Sequence, residues 1–319
     1  MAENWLRYFR LTVARDRTNT QALDFSSYHV TFEISQATVA QPCTARIRIY
    51  NVSDATLAQI KGLGQRVIVE GGYQGHHGKI FEGNLVWKMT GRESQTETFV
   101  ELTATSQWKA HKYAVVNVSL SAGTGTKEQL DEVVKAFKEK GATSAKLPEM
   151  TGSQLPRGQA IFAMARDVMD EVSETTGMQW GYTDTGIVAV PNNGRLKDRA
   201  IVINSQTGME LRPTVTIGGI QVKCRLNPDL EIGRTVQLDN STIQRGEYQT
   251  GFGNTQSFGN YTATNQMISS NGLYKVLSRV HTGDNFGSDW TTTIKCEGVN
   301  AAVTPGMLST ESYTYISNG

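Results

Sequence analysis

Five histidines, three cysteines and a few glycine-rich turns are the residues through which this 319-residue chain could do chemistry. His29, His76, His77, His111 and His281 could ligate a metal or move a proton. No HExxH occurs, however, and none of the five stands at ligand spacing from a cysteine or a carboxylate. His76 and His77 are adjacent, so on a strand they would face opposite ways, and the pair is expected at an exposed hairpin tip. Cys43, Cys224 and Cys296 are odd in number, far apart and without a CxxC pair. They read as small buried hydrophobes in a protein made in a reducing cytosol.

The glycine patterns fail on spacing. Gly72 to Lys79 (GYQGHHGK) has the look of a phosphate loop but is one residue too long, and Lys79 is followed by Ile80 in place of Ser or Thr. Gly62 and Gly64 lack the third glycine of a dinucleotide fingerprint. Gly123 and Gly125 precede a helix whose start could receive an anion, but no strand leads into them as a P-loop requires. There is no GxSxG elbow, and Asp284 and Asp289 flank a turn instead of forming a carboxylate pair in an apolar setting. The expectation is a non-enzymatic chain with no catalytic residue, no cofactor-binding residue, no metal ligand and no cofactor.

Charge and composition narrow the class further. Lys and Arg number 31 against 30 Asp and Glu, a net charge of +1. The balance is +3 over residues 1–118, −2 over 119–195 and zero over 196–319. No segment is basic enough to hold nucleic acid by bulk charge. Only 38% of residues are hydrophobic, with 31 Gly and 7 Pro, the composition of a turn-rich β protein with polar surfaces. Met1 to Phe9 has no basic start followed by an apolar run, which argues against a cleaved secretory peptide. No apolar stretch is long enough for a membrane anchor.

Three periodicities would have to position any site. Residues 1–118 alternate at period two: Phe9, Leu11 and Val13; Val30, Phe32 and Ile34; Ala45, Ile47 and Ile49 with Arg46 and Arg48 on the other face. Strands are also expected at Arg66–Tyr73, Lys79–Trp87 and Thr98–Thr105. A short helix, capped by Ser53 or Asp54 and ended by Gly62, interrupts them. Residues 119–195 switch to helical spacing. Thr126 to Gln129 has capping-box spacing before Leu130, Val133, Val134 and Phe137. A second helix is expected to open near Pro156 with Ile161, Met164, Ala165, Val168 and Val172 on one stripe. A hairpin, Met178–Tyr182 and Ile187–Val190, completes a small α+β domain. Residues 196–303 return to period two, with Ile220, Val222, Cys224 and Leu226, then Tyr274, Val276 and Val280, then Trp290, Ile294 and Cys296. Trp290 is expected to anchor this last domain. Its long loop, 245–272, includes the 24 uncharged residues Tyr248–Asn271, expected to be an interface loop, and a polar tail spans 304–319.

Two blocks carry a family resemblance. The first combines Arg46–Asp54 (RIRIYNVSD), Val67–Tyr73 (VIVEGGY), Ile80–Leu85 (IFEGNL) and Phe99–Ala104 (FVELTA). The second combines Gly219–Pro228 (GIQVKCRLNP), Gly233–Asp239 (GRTVQLD), Gly272–Ser278 (GLYKVLS) and His281–Trp290 (HTGDNFGSDW). Together they resemble the baseplate hub proteins of contractile-tailed bacteriophages, relatives of the spike-bearing component of type VI secretion. The resemblance implies a mainly β chain in which two tail-tube-like β-barrels, 1–118 and 196–303, flank the helix–helix–hairpin domain 119–195. It also implies a homotrimeric virion protein that adapts a sixfold tail tube to a threefold central spike and forms part of the DNA-ejection channel. Implied partners are copies of itself, the tail tube protein and the central spike protein, with tape measure and wedge or sheath-adaptor proteins further out. No sequence-specific nucleic acid is expected. Two other classes stay open: a distal tail or tip hub of a non-contractile phage, and a tail-associated carbohydrate-binding or cell-wall-degrading protein.

Overall fold

Alternating apolar residues build strands along most of the chain, and a helical stretch interrupts them. The computed structural model describes residues 6–15, 21–149, 154–216, 219–244, 269 and 271–299. The first unit holds β1 (Arg7–Ala14), β2 (Ala22–Asp24), β3 (Val30–Ala37), β4 (Thr44–Tyr50), β5 (Arg66–Tyr73), β6 (His76–Arg92) and β7 (Thr98–Thr105). A single-turn helix, α1 (Asp54–Leu57), follows β4. The middle unit holds α2 (Trp108–Tyr113), β8 (Val115–Leu120), α3 (Thr126–Glu139), β9 (Ser144–Lys146), β10 (Gln159–Met164), α4 (Ala165–Thr176), β11 (Met178–Tyr182) and β12 (Gly186–Pro191). The last unit holds β13 (Ile201–Val202), β14 (Thr214–Thr216), β15 (Gly219–Arg225), β16 (Thr235–Gln237), β17 (Leu273–Asp284) and β18 (Trp290–Gly298). Apart from Ser269 and Asn271, the expected interface loop Tyr248–Asn271 lies outside the described residues, as does the polar tail.

The first unit folds its sheet over one core. β6 is 17 residues long and serves two neighbours: its first half pairs with β5 and its second half with β7. A bulge between Leu85 and Trp87 lies within this turnover, where an extra residue bends a strand and raises its twist. The alternation Ala45, Ile47, Ile49 points inward, as expected, to meet Leu11, Val13, Val67, Val69 and Phe81 from the other layer. The outward Arg46 and Arg48 both grip Glu101. Burial alone would raise this carboxyl, but the guanidinium hydrogen bonds at 2.8 and 3.0 Å outweigh it and hold it below the usual range.

The middle unit departs from expectation at one element. Residues Gln159–Met164, expected to begin a helix, form β10, paired antiparallel with β8 from Gln159↔Leu120 to Met164↔Val115. The helix starts at Ala165 and ends with Gly177 in the left-handed region at φ 64°. Ala160 to Ala165 is a short apolar run that fits either period, and pairing with β8 decides it. β8 itself crosses the 118/119 boundary expected from the change of period. At α3 the cap lies one residue earlier than expected: Glu128 accepts from the Gly125 N–H, and Thr126 is the first helical residue. The hairpin β11–β12 is as expected, with Met178↔Pro191 to Tyr182↔Ile187 paired.

The two β units on either side of the middle unit are joined by a strand pairing. β3 pairs antiparallel with β17 over seven positions, from Ala37↔Ser278 to Thr31↔Asp284. One continuous sheet therefore runs β14-β15-β18-β17-β3-β4-β7-β6-β5-β1-β2. Trp290, expected in the core of the last unit, belongs to the core of the first. It is 2% exposed, meets Phe9 and Phe32 edge-on at 6.1 and 5.4 Å, and donates from Nε1 to the Gly72 carbonyl at 3.0 Å. Val280 also changes sides. A bulge between Val276 and Ser278 shifts the parity of β17, so that Arg279, His281 and Gly283 are buried after it while Val280 is only half-buried.

Candidate functional site

The residues with chemical potential are dispersed and engaged in local packing. His29 stacks between Tyr50 and Phe286, with ring centroids 4.4 and 5.3 Å away, and its Nε2 lies 3.0 Å from Asp284. His76 Nε2 reaches Asn227 and Asp229, each at 3.3 Å, so this half of the hairpin-tip pair is docked on the last unit. His77 is exposed and stacks on Tyr8 at 3.9 Å. His111 contacts the Tyr182 hydroxyl at 3.3 Å, and burial with the nearby Arg166 charge lowers its pKa. His281 is fully buried, bonded through Nδ1 to Thr292 at 2.8 Å, and burial holds it neutral, well below the usual range.

The remaining candidates are structural. Cys43, Cys224 and Cys296 are buried and free, and burial pushes all three thiols up, Cys224 to about 12. Gly71 and Gly72 pair with Gly78 and His77 in a tight hairpin, so the segment resembling a phosphate loop is a ladder end. The Gly125 amide, which could have faced an anion, is taken by the chain's own Glu128. Asp284 accepts from the amides of Phe286 and Gly287, which outweigh burial and hold its carboxyl below the usual range. Among the described residues, no three His, Cys, Asp or Glu side chains come together as a metal site.

The concentration of buried polar groups lies instead where the three units meet. Arg279, 1% exposed, projects from β17 and donates to the carbonyls of Leu230 at 3.0 Å and Ile80 at 3.3 Å, tying the last unit to the first. Gln36 on β3 donates to the Tyr182 carbonyl at 2.9 Å, and Gln107 to the Asp184 carbonyl at 2.9 Å. Lys275 donates to the carbonyls of Pro191 and Asn192 at 3.0 and 2.5 Å and forms an ion pair with Glu297 at 3.0 Å. Burial lowers the Lys275 pKa, and Glu297 offsets only part of this. Asp184, at the hairpin turn, keeps one buried carboxylate oxygen without a hydrogen-bond partner. Burial raises it to about 6 despite the nearby Arg279. Gly181 completes the fit, since a Cβ there would lie 2.6 Å from the Ala37 carbonyl oxygen.

This junction fixes one unit against another. Sequence reasoning missed its members because Lys275 and Arg279 look like ordinary outward residues of an alternating strand, and Gln36 is a polar residue on the inward parity of Val30, Phe32 and Ile34. The bulge that turns Arg279 inward has no clear marker in the residues around it.

No family model and no curated relative matches the sequence. Among solved structures, the fold is similar to the 43 kDa tail protein of prophage MuSo2 from Shewanella oneidensis. That alignment covers 92% of this chain and 97% of that one, with TM-score 0.55 and 7% identity. It is similar in the same degree to the tail protein from Neisseria meningitidis MC58, over 93% and 98% of the two chains, with TM-score 0.55 and 8% identity. The E. coli c3393 protein, described as a type VI secretion component, aligns over 85% of this chain with TM-score 0.49 and 10% identity. The chain thus has the mainly β fold of phage tail proteins.

Proposed function

We propose that this chain is a structural, non-enzymatic protein of a phage-type tail, and within it the baseplate hub. The observation that carries the reading is the pairing of β3 with β17 inside a fold that matches phage tail proteins over nearly their whole length. Two β units of one chain stand side by side in one sheet, so three copies would present six such units in a ring. A ring of that kind joins a sixfold tube on one side to a threefold spike on the other, and its bore forms part of the DNA-ejection channel. Its partners are then two further copies, the tail tube protein and the central spike protein, with tape measure and wedge or sheath-adaptor proteins beyond them. The near-neutral charge suits a part whose contacts are with proteins and whose bore must let DNA pass.

A reconstruction of the assembled tail tests the reading. Density for this chain is expected in threefold copies at the end of the tube, next to the spike. A sixfold ring, or a single copy off the axis, would overturn it.

A further inference from the structure

We propose that the exposed face of the β8–β10 ribbon docks on helix α4 of a second copy of this chain. Among the described residues, β8 and β10 pair only with each other, over six positions. Alternation turns Val116, Val118, Ile161 and Ala163 onto the core of the middle unit, under α3 and α4. It turns Val115, Asn117, Phe162 and Met164 the other way. Phe162 is 80% exposed there and Val115 41%, with Tyr113 at 55% two residues ahead of β8. A two-stranded ribbon is marginal alone, and a phenylalanine standing out of it gains nothing from water.

Charge identifies the occupant. The segments that build this face, residues 107–120 and 154–164, carry Lys109, Lys112 and Arg157 and no carboxylate. Lys112 precedes β8 and Arg157 precedes β10, so cations bracket the apolar row at both ends. The stretch Asp167 to Glu174 of α4 is the reverse: four carboxylates and no cation. Asp167, Glu171 and Glu174 are exposed at spacings of four and three, one stripe turned away from the core on which α4 packs. Asp167 meets Arg166 of its own chain, and Asp170 accepts from Trp180 Nε1. Among the described residues, Glu171, Glu174, Lys109 and Arg157 form no ion pair. The basic, aromatic segments and the acidic stripe thus belong to different elements of one unit.

Contact between two such faces is head-to-tail, since matching the ribbon with itself would oppose like charges. Head-to-tail contacts close into rings when the rotation allows. Closure at three copies rests on the reading above; the contact itself does not.

Sedimentation of the full chain across concentration and salt tests this. The variants are F162E, the reversal pair K112E/R157E, the reversal pair E171K/E174K, and the four reversals combined. Wild type is expected to self-associate, less so as salt rises. F162E and each pair should weaken association by about tenfold or more, and the combined reversal should recover it to within about threefold. Recovery excludes misfolding as the cause of the losses in the two reversal pairs. Association that ignores all four variants would sink the ribbon contact and leave the ring reading standing. A combined variant no better than its parents would also sink the contact. A chain that stays monomeric, or that is monomeric and binds polyaspartate or duplex DNA through the ribbon, would overturn the copy-to-copy assignment whatever a tail reconstruction shows.

Discussion

Trp290 shows how far one side chain can act from its own sequence neighbours. It sits on the last described strand yet fills the core of the first unit, so Trp290→Ala should cost about 3–5 kcal/mol and loosen both. Denaturant unfolding followed by circular dichroism checks the cost, and loss of tertiary signal from the first unit checks the location. Lys275 and Glu297 make a second case. Glu297→Leu leaves a buried ammonium without its carboxylate and should destabilise by about 3–5 kcal/mol, whereas Lys275→Met with Glu297→Leu should recover much of that. Asp184 gives a pH test. Its folded pKa is raised to about 6, so the folded chain holds a proton that the unfolded chain releases nearer pH 4. Stability from this group is present at low pH and is lost as pH rises from about 4 to 6. The loss should approach about 3 kcal/mol above that window. Asp184→Asn should therefore be more stable than wild type at pH 7 and should close the gap near pH 4. Comparing the two proteins at each pH cancels the opposing titration of buried His281.

At the scale of elements, a close backbone approach is the sharpest constraint. Gly181→Ala would push a methyl into the Ala37 carbonyl, so the β11–β12 hairpin must shift off the end of β3. Faster amide exchange in that hairpin, with the first unit unchanged, is the expected result. Most elements were legible because period two and period 3.6 are imposed by burial: the Ala45, Ile47, Ile49 face and the α3 stripe are in place. Two features were not. β10 was hidden because its apolar run satisfies both periods and its partner β8 lies about forty residues earlier, a contact no local pattern carries. The β17 bulge was hidden because a single extra residue flips parity without changing composition. Of the junction, only the β11–β12 hairpin could be read beforehand; buried Lys275, Arg279 and Asp184 depend on which units meet.

For the molecule as a whole, the continuous sheet predicts shared stability. The β units should melt in one calorimetric transition, because β3, β17, Arg279 and Trp290 belong to both. Arg279→Met removes the bond to the Ile80 carbonyl while keeping the volume, and should lower the midpoint or split the transition in two. A single unshifted transition in that variant would mean the sheet alone carries the coupling.

The β3–β17 pairing also sets an order of events during synthesis. β3 leaves the ribosome early, but its partner and Trp290 follow roughly 250 residues later, which at about 5–20 residues per second is some 13–50 seconds. Through that interval the first unit has an open strand edge and an unfilled slot beneath Phe9 and Phe32. An open edge is a template for pairing with another chain. Nascent copies on neighbouring ribosomes would thus be exposed to swapped pairing, β3 of one with β17 of the next. The yield of correctly closed monomer should then depend on how far apart in time those two strands are made.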